Sequence, residues 1–178
     1  TRVAVSEDLK KFDEPVKFRT PVSFKEGIEK IVDTAKELAK GDIRAMAGAV
    51  RGLLSEDRSM IANDRVLEKW VEEPLRETLE KKLKTKVILE NDAALAGLGE
   101  AVYGAGKGTD IMVYHTISTG VGGAKIERGR IDDYNLGFEP GRQVLDIDRT
   151  ILGEDVLPTL ENLVSGEAIE ERTGQKPY

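Results

Sequence analysis

The sequence predicts an α/β fold on three observations. Short apolar runs alternate with longer segments whose apolar residues recur at three and four. Polar or glycine junctions stand between them, and two of the runs flank one glycine-rich turn, so that some of the pairing is antiparallel. From the N-terminus, residues 2–6 and 16–20 alternate with period two on either side of the charged stretch 7–14, which predicts neighbouring strands. Ser23 stands three residues before Glu26, the spacing of a capping box, and Phe24, Ile28, Ile31, Val32, Ala35, Leu38 and Ala39 follow at helical intervals as far as Gly41. Residues 43–50 mix Ala, Met, Ile and Val and predict a buried strand feeding a long loop from Gly52 to Asp64. Leu67, Trp70, Val71, Leu75, Leu79 and Leu83 return to helical spacing, with Pro74 at the first turn of a helix that starts anew there.

A short apolar run, 87–89, ends in Glu90, Asn91 and Asp92, after which Ala93, Ala94, Ala96, Leu98 and Ala101 make a small-residue helix to Val102. Residues 110–116 predict a strand, 118–123 a glycine turn and 124–127 a second strand, followed by a turn at Arg128-Gly129 and by Ile131. Beyond Gly137 the pattern weakens, and two helical pieces, 158–164 and 166–172, close the chain. No internal repeat, low-complexity tract or Pro/Ser linker divides it.

Composition narrows the chemistry. The 178 residues include Lys+Arg 27, Asp+Glu 33, one His and no Cys, with a formal net charge of -6. Without a thiol and with His115 alone, a thiolate nucleophile, a disulfide framework and a multi-histidine or cysteine zinc site are excluded, and any divalent ion must be held by oxygen. The acidic balance repels phosphate backbones, so no nucleic-acid partner is expected for this segment. The longest stretch free of Asp, Glu, Lys and Arg, 111–124, falls short of the roughly 20 apolar residues that span a bilayer, and no signal peptide opens the chain. The expectation is a soluble, cytoplasmic protein without a membrane partner.

Several residues could carry chemistry, and each has a plainer role beside it. Asn91 and Asp92 stand where a strand passes into a helix, the place where open α/β sheets put their ligands; they are also favoured helix N-caps, and a capping carboxylate can still act as a general base. Thr119-Gly120-Val121-Gly122-Gly123 could turn backbone N–H groups and a hydroxyl towards phosphate oxygens, or be a tight hairpin turn or a β-bulge. It has neither the ending of a P-loop nor the spacing of a dinucleotide fingerprint. In the loop from Gly137 to Arg142, Glu139 and Arg142 read as a surface ion pair beside a Pro-Gly turn. His115, within an apolar run, reads as a core imidazole bonded to backbone before a catalytic one, and Lys81, Lys82, Lys84 and Lys86 as a solvated face that complements a helix dipole.

Taken in order, Glu90-Asn91-Asp92-Ala93-Ala94, Gly99-Glu100, Thr116-Ile117-Ser118-Thr119-Gly120-Val121-Gly122-Gly123, Glu139-Pro140-Gly141, and Leu160-Glu161 with Ser165-Gly166 resemble the ROK family of sugar kinases and sugar-responsive repressors. The similarity runs through nearly the whole chain. It implies the actin-like ATPase fold, hexokinase-type and ribonuclease H-like, with two α/β lobes, the sugar in the cleft and ATP on the second lobe. Residues 1–104 would form the first lobe and 105–178 the start of the second. By position, the resemblance makes Asp92 the base that deprotonates the attacking sugar hydroxyl and Asn91 a sugar ligand. Glu139 and Glu161 would accept hydrogen bonds from other sugar hydroxyls, and Thr119, Gly120, Gly122 and Gly123 would border the nucleotide phosphates. ATP and Mg2+ are the cofactors implied, the substrate is a hexose or amino-hexose, and a homodimer is usual in the family.

The chain departs from the family pattern in four places. It opens at Thr1-Arg2-Val3, where members precede this strand with an Asp-x-Gly-Gly-Thr-Lys phosphate loop, and it ends at Tyr178, before the rest of the second lobe. The expectation is therefore an incomplete form of the fold that does not turn over by itself. Arg142 stands where the family has the His of Glu-x-Gly-His, and Arg offers only donors to a sugar. The family's Cys-rich zinc loop is absent, so no zinc is expected. The function expected is ATP-dependent phosphorylation of a hexose, glucokinase-like; the alternative is a sugar-binding regulator or pseudokinase of the same family.

Overall fold

The computed structural model describes residues 1–132 and 138–177, and the chain divides into two compact units, Thr1–Asn91 and Asp92–Tyr178. In the first unit, β1 (Arg2–Val3) pairs antiparallel with β2 (Val16–Lys17), Val3 opposite Val16. The strands are neighbours, as their alternation predicts, but shorter, since residues 6–11 fold around Asp8, whose Oδ1 accepts the N–H of Lys10 and Lys11. Helix α1 (Phe24–Ala39) starts at Ser23, whose Oγ accepts the Glu26 N–H, and ends where Lys40 turns left-handed. Its buried face carries Ile28, Ile31, Val32 and Ala35.

Strand β3 (Ala45–Val50) runs parallel to β6 (Lys86–Asn91), from Ala45 opposite Lys86 to Val50 opposite Asn91. Contrary to the expectation of a buried strand, β3 is half-buried: Ala45, Ala47 and Ala49 are exposed, while Met46 and Val50 pack on the core. Its alternation had been masked because the exposed face carries alanine instead of polar residues. The expected long loop holds a small antiparallel hairpin, β4 (Leu53–Leu54) with β5 (Ile61–Asn63). Ser55 closes it, its Oγ accepting the N–H of Ser59 and Met60 and donating to Asp57 at 2.7 Å. A 3₁₀ turn, Glu68–Trp70, precedes α2 (Leu75–Leu83), which starts anew after Pro74. Leu75, Leu79 and Leu83 bury one face of α2, and Lys81, Lys82, Lys84 and Lys86 stay in solvent. Trp70 sits in the core with its indole N–H donating to the Pro21 carbonyl at 3.1 Å and Phe24 packed edge-on.

The second unit opens with α3 (Asp92–Tyr103), followed by the antiparallel sheet β7 (Ile111–Ile117), β8 (Val121–Glu127) and β9 (Arg130–Ile131), in that order. Ala93, Ala94, Gly97 and Ala101 form the buried face of α3, and Ala94 and Ala101 cluster with Ala124 and Ile126 of β8. This small-residue packing places α3 in the second compact unit, which begins at Asp92. Two helices, α4 (Leu160–Val164) and α5 (Gly166–Thr173), follow a 3₁₀ turn at Pro140–Arg142.

Two further expectations are corrected. Gly122 and Gly123 belong to β8, opposite Thr116 and His115, so the turn itself is confined to Ser118, Thr119 and Gly120. His115 is not a core imidazole. Met112 packs into the core while Val113, His115 and Ile117 alternate onto the exposed face, where His115 meets Phe138 edge-on at 6.0 Å. Among the described residues no helix is long and apolar enough to cross a membrane.

Candidate active site

Asn91 ends β6, its side-chain amide donating to the Gly52 carbonyl at 3.0 Å and its N–H to Glu90 Oε1. The other oxygen of Glu90 meets Arg58 Nε at 2.6 Å. The sugar-side asparagine expected from the resemblance is thus fixed by contacts inside the first unit.

Every other candidate lies in the second unit. Asp92 opens α3, is exposed, and accepts the Ala93 N–H on Oδ1 at 2.9 Å. A cap-like bond and an accessible carboxylate therefore coexist at this position. Ala93 lies against Gly122, so the start of α3 is beside the glycine strand.

The turn between β7 and β8 closes with the Ser118 N–H on the Gly120 carbonyl at 2.9 Å and is held from outside by three bonds. Glu161 Oε2 accepts the Val121 N–H at 2.9 Å. The Gly166 N–H donates to the Ser118 carbonyl at 2.7 Å and the Glu167 N–H to the Thr119 carbonyl at 3.2 Å. These last two are N-terminal amides of α5, which Ser165 caps: the buried Ser165 accepts the Ala168 N–H on its side chain. Among the described residues, no acceptor takes the N–H of Thr119 or Gly120. A turn with fixed carbonyls and open N–H groups is suited to anionic oxygens.

The Pro140–Arg142 turn docks on the same strand. A side chain at Gly141 would place its first carbon 2.6 Å from the Val121 carbonyl, and one at Gly123 would come 2.6 Å from the Tyr114 carbonyl and 2.8 Å from Pro140. Such distances leave no room for a methyl group, so glycine at 141 and 123 is what lets three chain segments meet here. Glu139 and Arg142 are both exposed, and among the described residues their side chains form no ion pair, contrary to the surface-pair expectation. The backbone closes the turn instead, Arg142 N–H to the Glu139 carbonyl at 3.0 Å. Gly137, at the head of that loop, and Tyr178 lie outside the described residues.

Residues 92, 119–123, 139–142 and 161, far apart in sequence, thus converge around β8. Two contributors were missed in the sequence. Ser165, quoted only as part of a motif, holds the turn through the helix it caps. Asp146 is 3% exposed and accepts the N–H of Ile151 and Leu152, the latter at 2.7 Å. The Leu152 amide, followed by that of Ile151 and the Thr150 hydroxyl, holds the Asp146 carboxyl below its usual range. This loop leads through the bridge between Val144 and Thr159 into α4, and so to Glu161. The spacing of Asp146, Asp148 and Thr150 is the signal of a side-chain-organised turn. Among the described residues no three of His, Asp and Glu converge as a metal set.

The family model for the ROK family matches residues 2–178. The chain belongs to the ROK family. A glucokinase of Thermotoga maritima is 30% identical over 156 residues, 85% of this chain and 49% of that protein. A xylose repressor of Bacillus subtilis is 30% identical over 101 residues, 56% of this chain and 26% of the repressor. A ROK glucokinase from Streptomyces griseus, solved in complex with glucose and AMPPNP, superposes with a TM-score of 0.75 at 24% identity, covering 98% of this chain and 59% of that one. The chain therefore spans about half the length of the glucokinase relative it matches, and it carries part of the actin-like, hexokinase-type fold.

Proposed function

We propose that this ROK chain supplies the phosphoryl-transfer site of an ATP-dependent hexose kinase, with Asp92 as general base. The observation that carries the reading is the convergence in the second unit of an exposed carboxylate at a helix start, a turn with open N–H groups, and the Glu139 and Glu161 segments around one glycine strand. Relatives that are glucokinases support it.

Asp92 takes the proton of the attacking sugar hydroxyl. Asn91, Glu139, Glu161 and Arg142 read the remaining hydroxyls, the carboxylates as acceptors and Arg142 as a donor. The N–H groups of Thr119 and Gly120 and the Thr119 hydroxyl hold phosphate oxygens, with Gly122 and Gly123 keeping the strand beside them clear of side chains. When bound, ATP with magnesium supplies the phosphoryl group and neutralises its charge. Transfer of this kind depends on positioning and charge stabilisation more than on covalent chemistry, and a rigid turn and a placed carboxylate are suited to that task.

The test is ADP formation across a hexose panel by the whole protein that carries this sequence, beside its Asp92→Asn variant. Sugar-dependent ADP that falls by about 10²–10⁴-fold in the variant, with sugar affinity nearly intact, is the expected result. Full activity in the variant removes Asp92 from the mechanism. A second reading, a sugar-binding regulator, is favoured by the xylose repressor relative and by Arg142 in place of the family histidine. It gains if no sugar is phosphorylated while one still raises the melting temperature.

A further inference from the structure

We propose that Glu161 is a positioning residue for the glycine turn, holding the N–H groups of Thr119 and Gly120 in place through its bond to Val121, in addition to any contact with a sugar. The geometry is specific. The Val121 N–H is the first donor of β8 after the turn, and it is taken by a side chain forty residues away in sequence at 2.9 Å. The same carboxylate oxygen lies 2.9 Å from where a side chain at Gly120 would begin, so it fills the space that a side chain on the turn would need.

Glu161 is itself placed with little freedom. Its backbone carbonyl accepts the Ser165 N–H at 2.9 Å, Thr159 caps α4, and the Leu160 N–H donates to the Gln143 carbonyl at 2.8 Å. The turn's carbonyls are fixed by Gly166 and Glu167, and Glu161 fixes its exit. These bonds restrain the turn from both sides while leaving the N–H groups of Thr119 and Gly120 without an acceptor among the described residues. Preorganised donors stabilise developing charge without a reorganisation cost at the moment of reaction. If one oxygen of Glu161 orders the turn, the other remains for a sugar hydroxyl, and a single carboxylate couples the two halves of the site.

The bond itself is a property of the chain, while its effect on nucleotide rests on the kinase reading, and the test separates the two. In the whole protein, amide hydrogen exchange at Val121 is measured for Glu161→Ala and Glu161→Gln, together with KM for hexose and for nucleotide. A hydrogen bond to a charged acceptor is lost in the alanine variant, so Val121 exchange is expected to quicken by about ten- to a hundredfold and nucleotide KM to rise by about tenfold or more. Glutamine keeps an acceptor oxygen, so Glu161→Gln is expected to restore parental exchange and nucleotide KM while still weakening hexose binding. Parental Val121 exchange in Glu161→Ala overturns the proposal, and so does a rise in hexose KM alone, equal in both variants. Should Glu161→Ala fail to fold, Glu161→Asp, which withdraws the carboxylate by one methylene, is expected to speed Val121 exchange, and its failure to do so overturns the proposal equally. If the parent protein takes neither nucleotide nor sugar, the kinase reading falls, and Val121 exchange alone then decides for or against the positioning role.

Discussion

The first unit buries Ile28, Ile61, Trp70 and Leu79 in a cluster of twelve apolar side chains of which only Ala35 is small, whereas the apolar cluster described in the second unit comprises Ala94, Ala101, Ala124 and Ile126. A fully buried leucine or isoleucine contributes about 1.5–3 kcal/mol and a methyl group only about 0.8. The first unit is therefore stabilised mainly by side-chain burial. The second relies on backbones brought close at glycine and on polar links made by Glu161, Ser165 and Asp146. The candidate chemistry lies almost entirely in the unit whose core is built from small residues. Close-approaching backbone leaves N–H groups where ligands can use them, and bulky side chains would cover them.

The contrast is broken or sharpened by four substitutions and one titration. The largest expected effect is on turnover: Asp92→Asn should lower kcat by about 10²–10⁴-fold with the melting temperature near parental, placing the loss in chemistry and not in folding. Leu79→Ala, at a position 2% exposed, should destabilise the first unit by about 2–5 kcal/mol, while Leu79→Met costs less than about 1.5. Denaturant melts of the two variants check this, and equal melts would show that side-chain volume does not govern that core. Gly141→Ala adds a methyl where the Val121 carbonyl already stands at 2.6 Å, and should cost about 1–3 kcal/mol as well as disordering the Glu139 turn. A parental melt for Gly141→Ala would mean that the second unit gives way easily and the comparison is wrong.

The smallest effect is that of pH. In the first unit the Ser59 and Ser55 hydroxyls, the Ser59 N–H and the nearby Arg76 draw the Asp57 carboxyl down from 3.8 to about 2. In the second, the Leu152 amide does the same in direction for Asp146. A carboxyl depressed on folding stabilises fully above its unfolded pKa and loses that contribution as pH falls through the folded one. Both loops should therefore hold unchanged above about pH 4 and loosen below it. Carboxyl titration by NMR, with the Ser59 and Leu152 amide shifts as reporters, measures each; an Asp146 midpoint at or above the usual carboxylate value would contradict the hydrogen bonds assigned to it.

What the sequence disclosed follows the same division. Helical spacing marks α1 and α2 because each buries a continuous apolar stripe against the core, and the capping box at Ser23 is local chemistry that needs no tertiary context. The alternation of β3 was hidden by alanines on its open face, and the β4–β5 hairpin by strands too short to show a period. Which compact unit α3 joins depends on which sheet it covers, a tertiary fact that small residues do not announce. At the site, the order of the ROK motifs pointed to Asp92, Glu139 and Glu161, but no spacing rule could reveal that Glu161 reaches Val121 or that α5 lends its N-terminal amides to the turn. Those bonds are set by where loops return, which depends on Asp146 and Gly141 together.

The chain has one tryptophan, Trp70, 4% exposed and hydrogen-bonded to the Pro21 carbonyl within the first unit. Its emission, excited beyond the absorption of tyrosine, is thus an optical label that nature has placed on that unit alone. Far-ultraviolet dichroism, by contrast, sums the helices and strands of both. If the two signals are followed through the same melt, coincident curves mean one cooperative transition, and a separation between them reads out the second unit's own transition without any added probe.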